Sequence, residues 1–309
     1  MACAPTLHRR EKSRSLPGQT PARGNLRAGR RARQFPLSYR RRRLGTHLLR
    51  RDGRMNVAAD TPRPRVRQAV VLVGGKGTRL GALTRATPKP LMAIDDDRVF
   101  LDFLIENLAR QGFDRILLLA GHYGEQIQSR YDGRDIRGAS VTVAIEPEPM
   151  GTAGALRWSR NLLDERFLML NGDTYFDIAY RALEKALELA PDALAALALR
   201  SVDDAARYGL VETDGDRILR FREKVATEGG AVGMINGGVY LMRRTIVDVI
   251  PEGPTSLEVD VFPELASEGR LIGAPRQGFF IDIGLPDTLM QARRELPVVI
   301  RRPALSSTA

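Results

Sequence analysis

The chain has 309 residues, room for one large or two ordinary domains, and its net charge of +11 is confined to one end: residues 1–68 carry 19 Lys/Arg against 3 Asp/Glu, the remainder 29 against 34. The body is therefore mildly acidic, and the basic balance does not argue for a nucleic-acid-binding fold. A single cysteine, Cys3, excludes a disulfide framework or cysteine-based metal site within one chain, and no apolar run reaches the roughly 18 residues of a transmembrane helix.

In chain order, residues 1–66 are rich in Arg, Pro, Gly and Ser and poor in acids, too polar to offset chain entropy by burial, so they are expected to be disordered. Three accounts fit this extension: sequence upstream of a natural start at Met55, a transit peptide, or a polyanion-binding arm around Arg40–Arg43. It lacks the apolar stretch of a secretory signal.

From Gln68 the pattern turns to alternating strands and helices, expected as one domain over 67–296 with a tail at 297–309. Strands are expected at 69–73, 115–120, 140–145, 167–170 and 193–199, and helices at 101–111, from Thr152 to about Leu162, and at 178–189. Such alternation implies βαβ units, a mainly parallel sheet, and ligand at the carboxyl ends of its strands. Beyond Arg207 the spacing reads as antiparallel strands at 209–213, 217–222, 233–242 and 271–280, covering the sheet, with short helices near 258–268 and 286–294. No hexapeptide repeat follows Asp282.

The stretch around which the chain is organised is Gly74–Pro90, GGKGTRLGALTRATPKP, directly after the first strand. Gly74, Gly75 and Gly77 let backbone N–H groups approach a ligand, and such a turn can nest a phosphate. It is not a dinucleotide fingerprint, for want of a third glycine at the right spacing, nor a Walker A loop, because Lys76 is followed by Gly77. Arg79 and Lys89 add fixed cations.

Asp173 ends LNGD and Asp282 sits in FIDIG, each after an apolar run. A lone strand-end aspartate is more often a cap or turn residue; two of them suit magnesium, which takes hard oxygen ligands from one or two carboxylates plus substrate phosphates. His8, His47 and His122 lie near no cysteine or carboxylate at metal spacing, although His122 follows a strand and could face a cleft. Trp158 falls on a helix's apolar side and is expected in the core.

Six further strings accompany the loop: EPEPMGTAGAL from Glu146, LNGD, FREK from Phe221, INGGVY from Ile235, SLEVDVFP from Ser256 and FIDIGLP from Phe280. Together they resemble the sugar-1-phosphate nucleotidyltransferases over about 68–295, and within that family the branch that guanylylates heptose and mannose 1-phosphates. The resemblance implies an α/β fold: a mixed, mainly parallel Rossmann-like sheet with helices on both faces and a small strand-rich sugar-binding part. It implies Mg2+ as cofactor and, as partners, a nucleoside triphosphate and a sugar 1-phosphate, with no nucleic acid through the globular part, no membrane, a cytoplasmic location and room for a homo-oligomer.

The site residues it implies are Arg79, Lys89 and Asp173 for catalysis, and Asp173 with Asp282 for the metal. Gly74, Gly75, Gly77, Thr78, Arg79, Glu146, Gly151 and Thr152 would hold the nucleotide, and Tyr208, Gly209, Glu223, Lys224, Asn236 and Gly237 the sugar phosphate. Glu258 either anchors the fold or reaches the sugar. The family sets the first residue of the EPEPMGTAGAL string, here Glu146, against the base edge, although Glu148 could serve instead. A carboxylate only accepts hydrogen bonds and so matches the adjacent N1–H and N2 amino donors of guanine, whereas uracil and thymine, with one donor between two acceptors, suit a glutamine better. GTP is therefore the expected donor. Uridylyl or thymidylyl transfer to a hexose or amino-sugar phosphate is the alternative enzyme. A nucleotide-sugar-binding regulatory subunit would be expected to have lost Arg79, Lys89, Asp173 or Asp282, and all four are present.

Overall fold

Strand β1 (Gln68–Leu72) shows how the chain covers both faces of its sheet. Ala69 and Val71 pack into one apolar core and Val70 into another. Successive strand residues point to opposite faces, so a strand apolar at every position must be covered twice. This computed structural model describes residues 65–75, 77–203, 209–222 and 232–303, without the side chains of Thr78 and Ala82. The extension up to residue 64 (with Cys3, His8, Arg40–Arg43, His47 and Met55), Lys76, the sugar-side candidates Tyr208, Glu223 and Lys224, and the tail from 304 lie outside the described residues.

Two further strands repeat the double burial. In β2 (Arg115–Ala120), Ile116 and Leu118 face the first core and Leu117 and Leu119 the second. In β5 (Arg166–Asn171), Leu168 and Leu170 face the first core and Phe167 and Met169 the second. Helices α1 (Phe100–Arg110), α4 (Arg181–Glu188) and α6 (Pro286–Val299) fill the first core through Leu104, Leu183 and Leu289. Helices α3 (Gly151–Trp158) and α5 (Phe262–Ser267) fill the second through Leu156 and Leu265.

The remaining elements are α2 (Gly124–Tyr131), β3 (Asp135–Ile136), β4 (Ala139–Ile145), β6 (Thr174–Phe176), β7 (Ala195–Val202), β8 (Leu210–Asp214), β9 (Arg217–Arg222), β10 (Gly233–Arg243), β11 (Leu271–Pro275) and β12 (Phe280–Asp282). Among the described residues one sheet of ten strands runs β3-β4-β2-β1-β5-β10-β7-β11-β9-β8, and β12 pairs with β6 in a separate ribbon. β4, β2, β1 and β5 are mutually parallel, and β10 runs antiparallel to both β5 and β7. The fold class is the expected mixed, mainly parallel α/β sheet with helices on both faces.

Among the differences from the sequence expectations, four bear on the architecture. The strands after residue 207 do not lie over the sheet: β10 enters it between β5 and β7, because Val239 and Leu241 face one core and Tyr240 and Met242 the other. The single strand expected at 271–280 is two, β11 beside β7 and β12 beside β6. The helix expected from Glu258 opens as a π-helical turn, Leu257–Val261, with Ser256 accepting the Val259 N–H before α5 begins. The last helix runs on through Pro297 to Val299, since Leu296 and Val299 are still buried.

Candidate functional site

The parallel strands β1, β2, β4 and β5 all end at one edge, and the chain leaving them builds a cleft of about 490 Å3. Its walls include Gly74, Gly75, Gly77 and Arg79 after β1, Glu146 after β4, Gly151 and Thr152 at the start of α3, Asn171–Asp173 after β5, and Lys89 and Gly284. Two hydrogen bonds hold the strand ends together: Val73 N–H to the Leu119 carbonyl at 2.9 Å, and Gly172 N–H to the Leu72 carbonyl at 2.8 Å. At the second of these the β1 backbone leaves no room for a Cβ on Gly172, which is the physical need for glycine in LNGD.

Lys89 lies on a 3-10 turn, Lys89–Leu91, framed by Pro88 and Pro90, whose rings limit backbone freedom. Its side chain is only 7% exposed, and Nζ sits 2.5 Å from Asp173 Oδ2 and 3.6 Å from Asp282 Oδ1. The two aspartates meet because β12 pairs antiparallel with β6, setting Asp282 opposite Thr174. Arg79 reaches the same place: a Cβ built on Gly284 would stand 2.5 Å from Asp282 Oδ1, 3.4 Å from Lys89 Nζ and 3.5 Å from Arg79 Cζ. Burial pushes the Asp282 carboxyl above its usual range, the neighbouring Asp173 adds to this, and Lys89 opposes it. Two carboxylates and two cations from three separate stretches thus come together, with Arg79, Lys89 and Asp173 lining the cleft and Asp282 beside them.

After β4, Glu146 continues the edge, its N–H on the Ala120 carbonyl at 2.8 Å, and lines the cleft. Its carboxylate lies against Gly74 and Gly121, and Oε2 accepts the Met150 N–H at 3.2 Å. Burial raises the Glu146 carboxyl above its ordinary value, and the Met150 hydrogen bond partly offsets this. Glu148 is exposed and does not line the cleft.

Gly151 and Thr152 line the cleft but are also tied behind it. Gly151 has φ 72°, and a Cβ there would stand 2.5 Å from the Thr255 carbonyl oxygen. The Thr152 hydroxyl accepts the Leu257 N–H at 2.8 Å and donates to Glu258 Oε2 at 2.9 Å. Glu258 also accepts from Ser256 Oγ at 3.2 Å and the Tyr240 hydroxyl at 3.4 Å, so it anchors the fold. Tyr240 in turn accepts from Asn236 Nδ2 at 2.9 Å. Asn236 and Gly237, on β10, and Gly209, just before β8, do not border the cleft; a Cβ on Gly237 would stand 2.8 Å from both the Phe176 ring and the Ala198 carbonyl oxygen.

Three features were not singled out from sequence: Asn171 in the cleft wall, Gly284 beneath the cation cluster, and the buried Tyr240 hydroxyl. Each sits inside a string already noted, LNGD, FIDIG and INGGVY, which is the only signal that would have found them. Trp158, expected in the core, is 39% exposed: it is the last residue of α3, whose buried face is Ala153–Leu156. His122 is exposed and outside the cleft.

A sheet with helices on both faces thus carries, at the carboxyl edge of its parallel strands, a cleft lined by Arg79 and Lys89, the place where α/β proteins of this class bind ligands. The chain belongs to the family described as "Nucleotidyl transferase", whose profile matches residues 68–297. The D-glycero-alpha-D-manno-heptose 1-phosphate guanylyltransferase of Aneurinibacillus thermoaerophilus is 34% identical over 233 residues, 74% of this chain and 98% of that protein. Mannose-1-phosphate guanyltransferase beta-A of Xenopus laevis is 32% identical over 225 residues, 71% of this chain but 61% of that protein. The crystal structure of HddC from Yersinia pseudotuberculosis complexed with GMP-PN superimposes with a TM-score of 0.65 at 30% identity, covering 74% of this chain and 99% of that one.

Proposed function

We propose that the chain transfers GMP from GTP to a sugar 1-phosphate of manno configuration, D-glycero-D-manno-heptose 1-phosphate before mannose 1-phosphate, releasing pyrophosphate in the cytoplasm. The heptose comes first because the relative matched along 98% of its length acts, by its name, on that sugar phosphate. The observation that carries the chemistry is Lys89 bracketed by Asp173 and Asp282, with Arg79 alongside.

Such a reaction needs no protein nucleophile. An anionic oxygen of the sugar phosphate attacks the α-phosphorus of GTP, the α–β bridging bond breaks, and the electron pair leaves with pyrophosphate. Catalysis is then positioning and charge stabilisation. Asp173 and Asp282 fit a magnesium ion: both are oxygen donors within reach of one cation, and among the described residues no third His, Cys, Asp or Glu joins them, which leaves room for substrate phosphates. Bound there, magnesium would neutralise charge on the phosphates. Arg79 would hold the β- and γ-phosphates, Lys89 would lie between the two reacting phosphates, and the amides of Gly74, Gly75, Gly77 and Thr78 would line the triphosphate. Glu146 would accept guanine N1–H and the N2 amino group, next to Gly151 and Thr152. Asn236, Gly237 and Gly209, with Tyr208, Glu223 and Lys224, would serve the sugar phosphate.

Pyrophosphate release over a matrix of four nucleoside triphosphates and several sugar 1-phosphates tests this. GTP with the manno-heptose phosphate should give the highest kcat/KM, and mannose 1-phosphate the next. Better use of UTP or dTTP would overturn the base assignment.

A further inference from the structure

Lys89 stands where a cation between Asp173 and Asp282 would stand, 2.5 Å from one carboxylate oxygen and 3.6 Å from the other. It is almost fully buried, on a turn stiffened by prolines on both sides. Those two carboxylates are the metal ligands of the function proposed above, and Lys89 is its phosphate contact; the inference rests on that reading. A divalent cation entering between the aspartates meets the like charge of Lys89, and the ammonium has donors to turn to a phosphate when it yields its place on Asp173.

We propose that Lys89 is a built-in counter-ion: it holds the metal position while the cleft is empty and gives it up only when an anionic phosphate arrives to take the ammonium. The metal alone then binds weakly, because it must displace Lys89 without offering it a new partner. Metal and triphosphate bind together favourably, because the phosphate supplies that partner. The coupling is reciprocal, so the metal strengthens nucleotide binding by the same factor. The aspartates also keep a neutralising partner, where two half-buried carboxylates side by side would otherwise repel each other.

Direct binding of Mn2+ to the full chain, followed by electron paramagnetic resonance without turnover, tests this. Wild type should bind Mn2+ weakly alone and at least tenfold more tightly with a non-hydrolysable GTP analogue. Lys89→Met, which keeps bulk and removes charge, should bind Mn2+ at least tenfold more tightly than wild type without nucleotide, and the analogue should add little. Lys89→Gln gives the same readout if the Met variant does not fold. Asp282→Asn in either background should abolish the tight binding.

Mn2+ affinity in the Lys89 variants equal to or weaker than wild type, or retained after Asp282→Asn, overturns the inference. The nucleotide-free arm stands apart from the reaction: if no nucleotide analogue of any base raises Mn2+ affinity in wild type, the proposed function fails, whereas competition by Lys89 is judged by the metal-only comparison.

Discussion

Ile283 donates its backbone N–H to the carbonyl of Asp173 at 3.0 Å. That bond, next to the β6–β12 pairing, carries Asp282 to the side of Asp173 and of Lys89. The candidate chemistry depends on this junction between the end of the parallel sheet and a two-stranded ribbon.

Lys89→Ala should lower turnover at least tenfold, equivalent to about 1.4 kcal/mol of barrier. Steady-state pyrophosphate release at saturating GTP and sugar phosphate measures it. Near-normal turnover would remove Lys89 from the mechanism.

Glu146→Gln separates base choice from stability. The folded carboxyl is held above the ordinary 4.5 by burial, so between that value and the folded one the native state holds a proton the unfolded chain has released. Ionised Glu146 therefore costs stability, a cost that appears as pH rises above about 4.5 and is complete above the folded value. The variant should melt higher than wild type at neutral pH, and the gap should close below pH 4.5. In the same variant kcat/KM for GTP should fall relative to UTP.

Gly151→Ala should destabilise the fold by about 1–3 kcal/mol, since its φ of 72° and the nearby Thr255 carbonyl both disfavour a side chain. Gly75→Ala, with nothing within 4 Å of its Cβ, should change stability by less than about 0.5 kcal/mol. Urea denaturation of the two variants makes the comparison.

Tyr240→Phe keeps the buried ring against Phe262, 5.3 Å between centroids, and deletes the hydroxyl that accepts from Asn236 and donates to Glu258. A loss of about 1 kcal/mol follows from leaving the half-buried Asn236 amide without this partner. With Asn236 in its proposed role of holding the sugar phosphate, the KM for sugar phosphate should rise more than the KM for GTP. Equal rises would place Asn236 elsewhere.

Much of the fold was legible because local chemistry carried it. β2 spans Arg115–Ala120 as its apolar run predicted, and α1 follows the Leu101, Leu104, Ile105 and Leu108 spacing to within a residue at each end. Helix α2 was missed because only Gly124, Ile127 and Tyr131 of its eight residues are buried, too faint an apolar stripe to read. Strand β6 was missed, and β12 was run together with β11, because three residues do not make a pattern; the two short strands exist through pairing with each other. In the cleft Gly74, Arg79, Lys89, Asp173 and Glu146, and beside it Asp282, were all nameable from their strings, while the structure alone showed that Glu146, not Glu148, turns toward Gly121 and lines the cleft.

By itself the sequence determined which segments must be covered on two faces, where glycine turns follow strands, and which charged residues stand at strand ends. These are properties of neighbours a few positions apart, and steric and hydrophobic rules act on them directly. Only the tertiary structure decided that β10 would enter the sheet between β5 and β7, that Trp158 would face outward, and that Lys89 would close on Asp173 and Asp282. Those outcomes depend on backbone pairing between segments far apart in the chain, whose register no local spacing records.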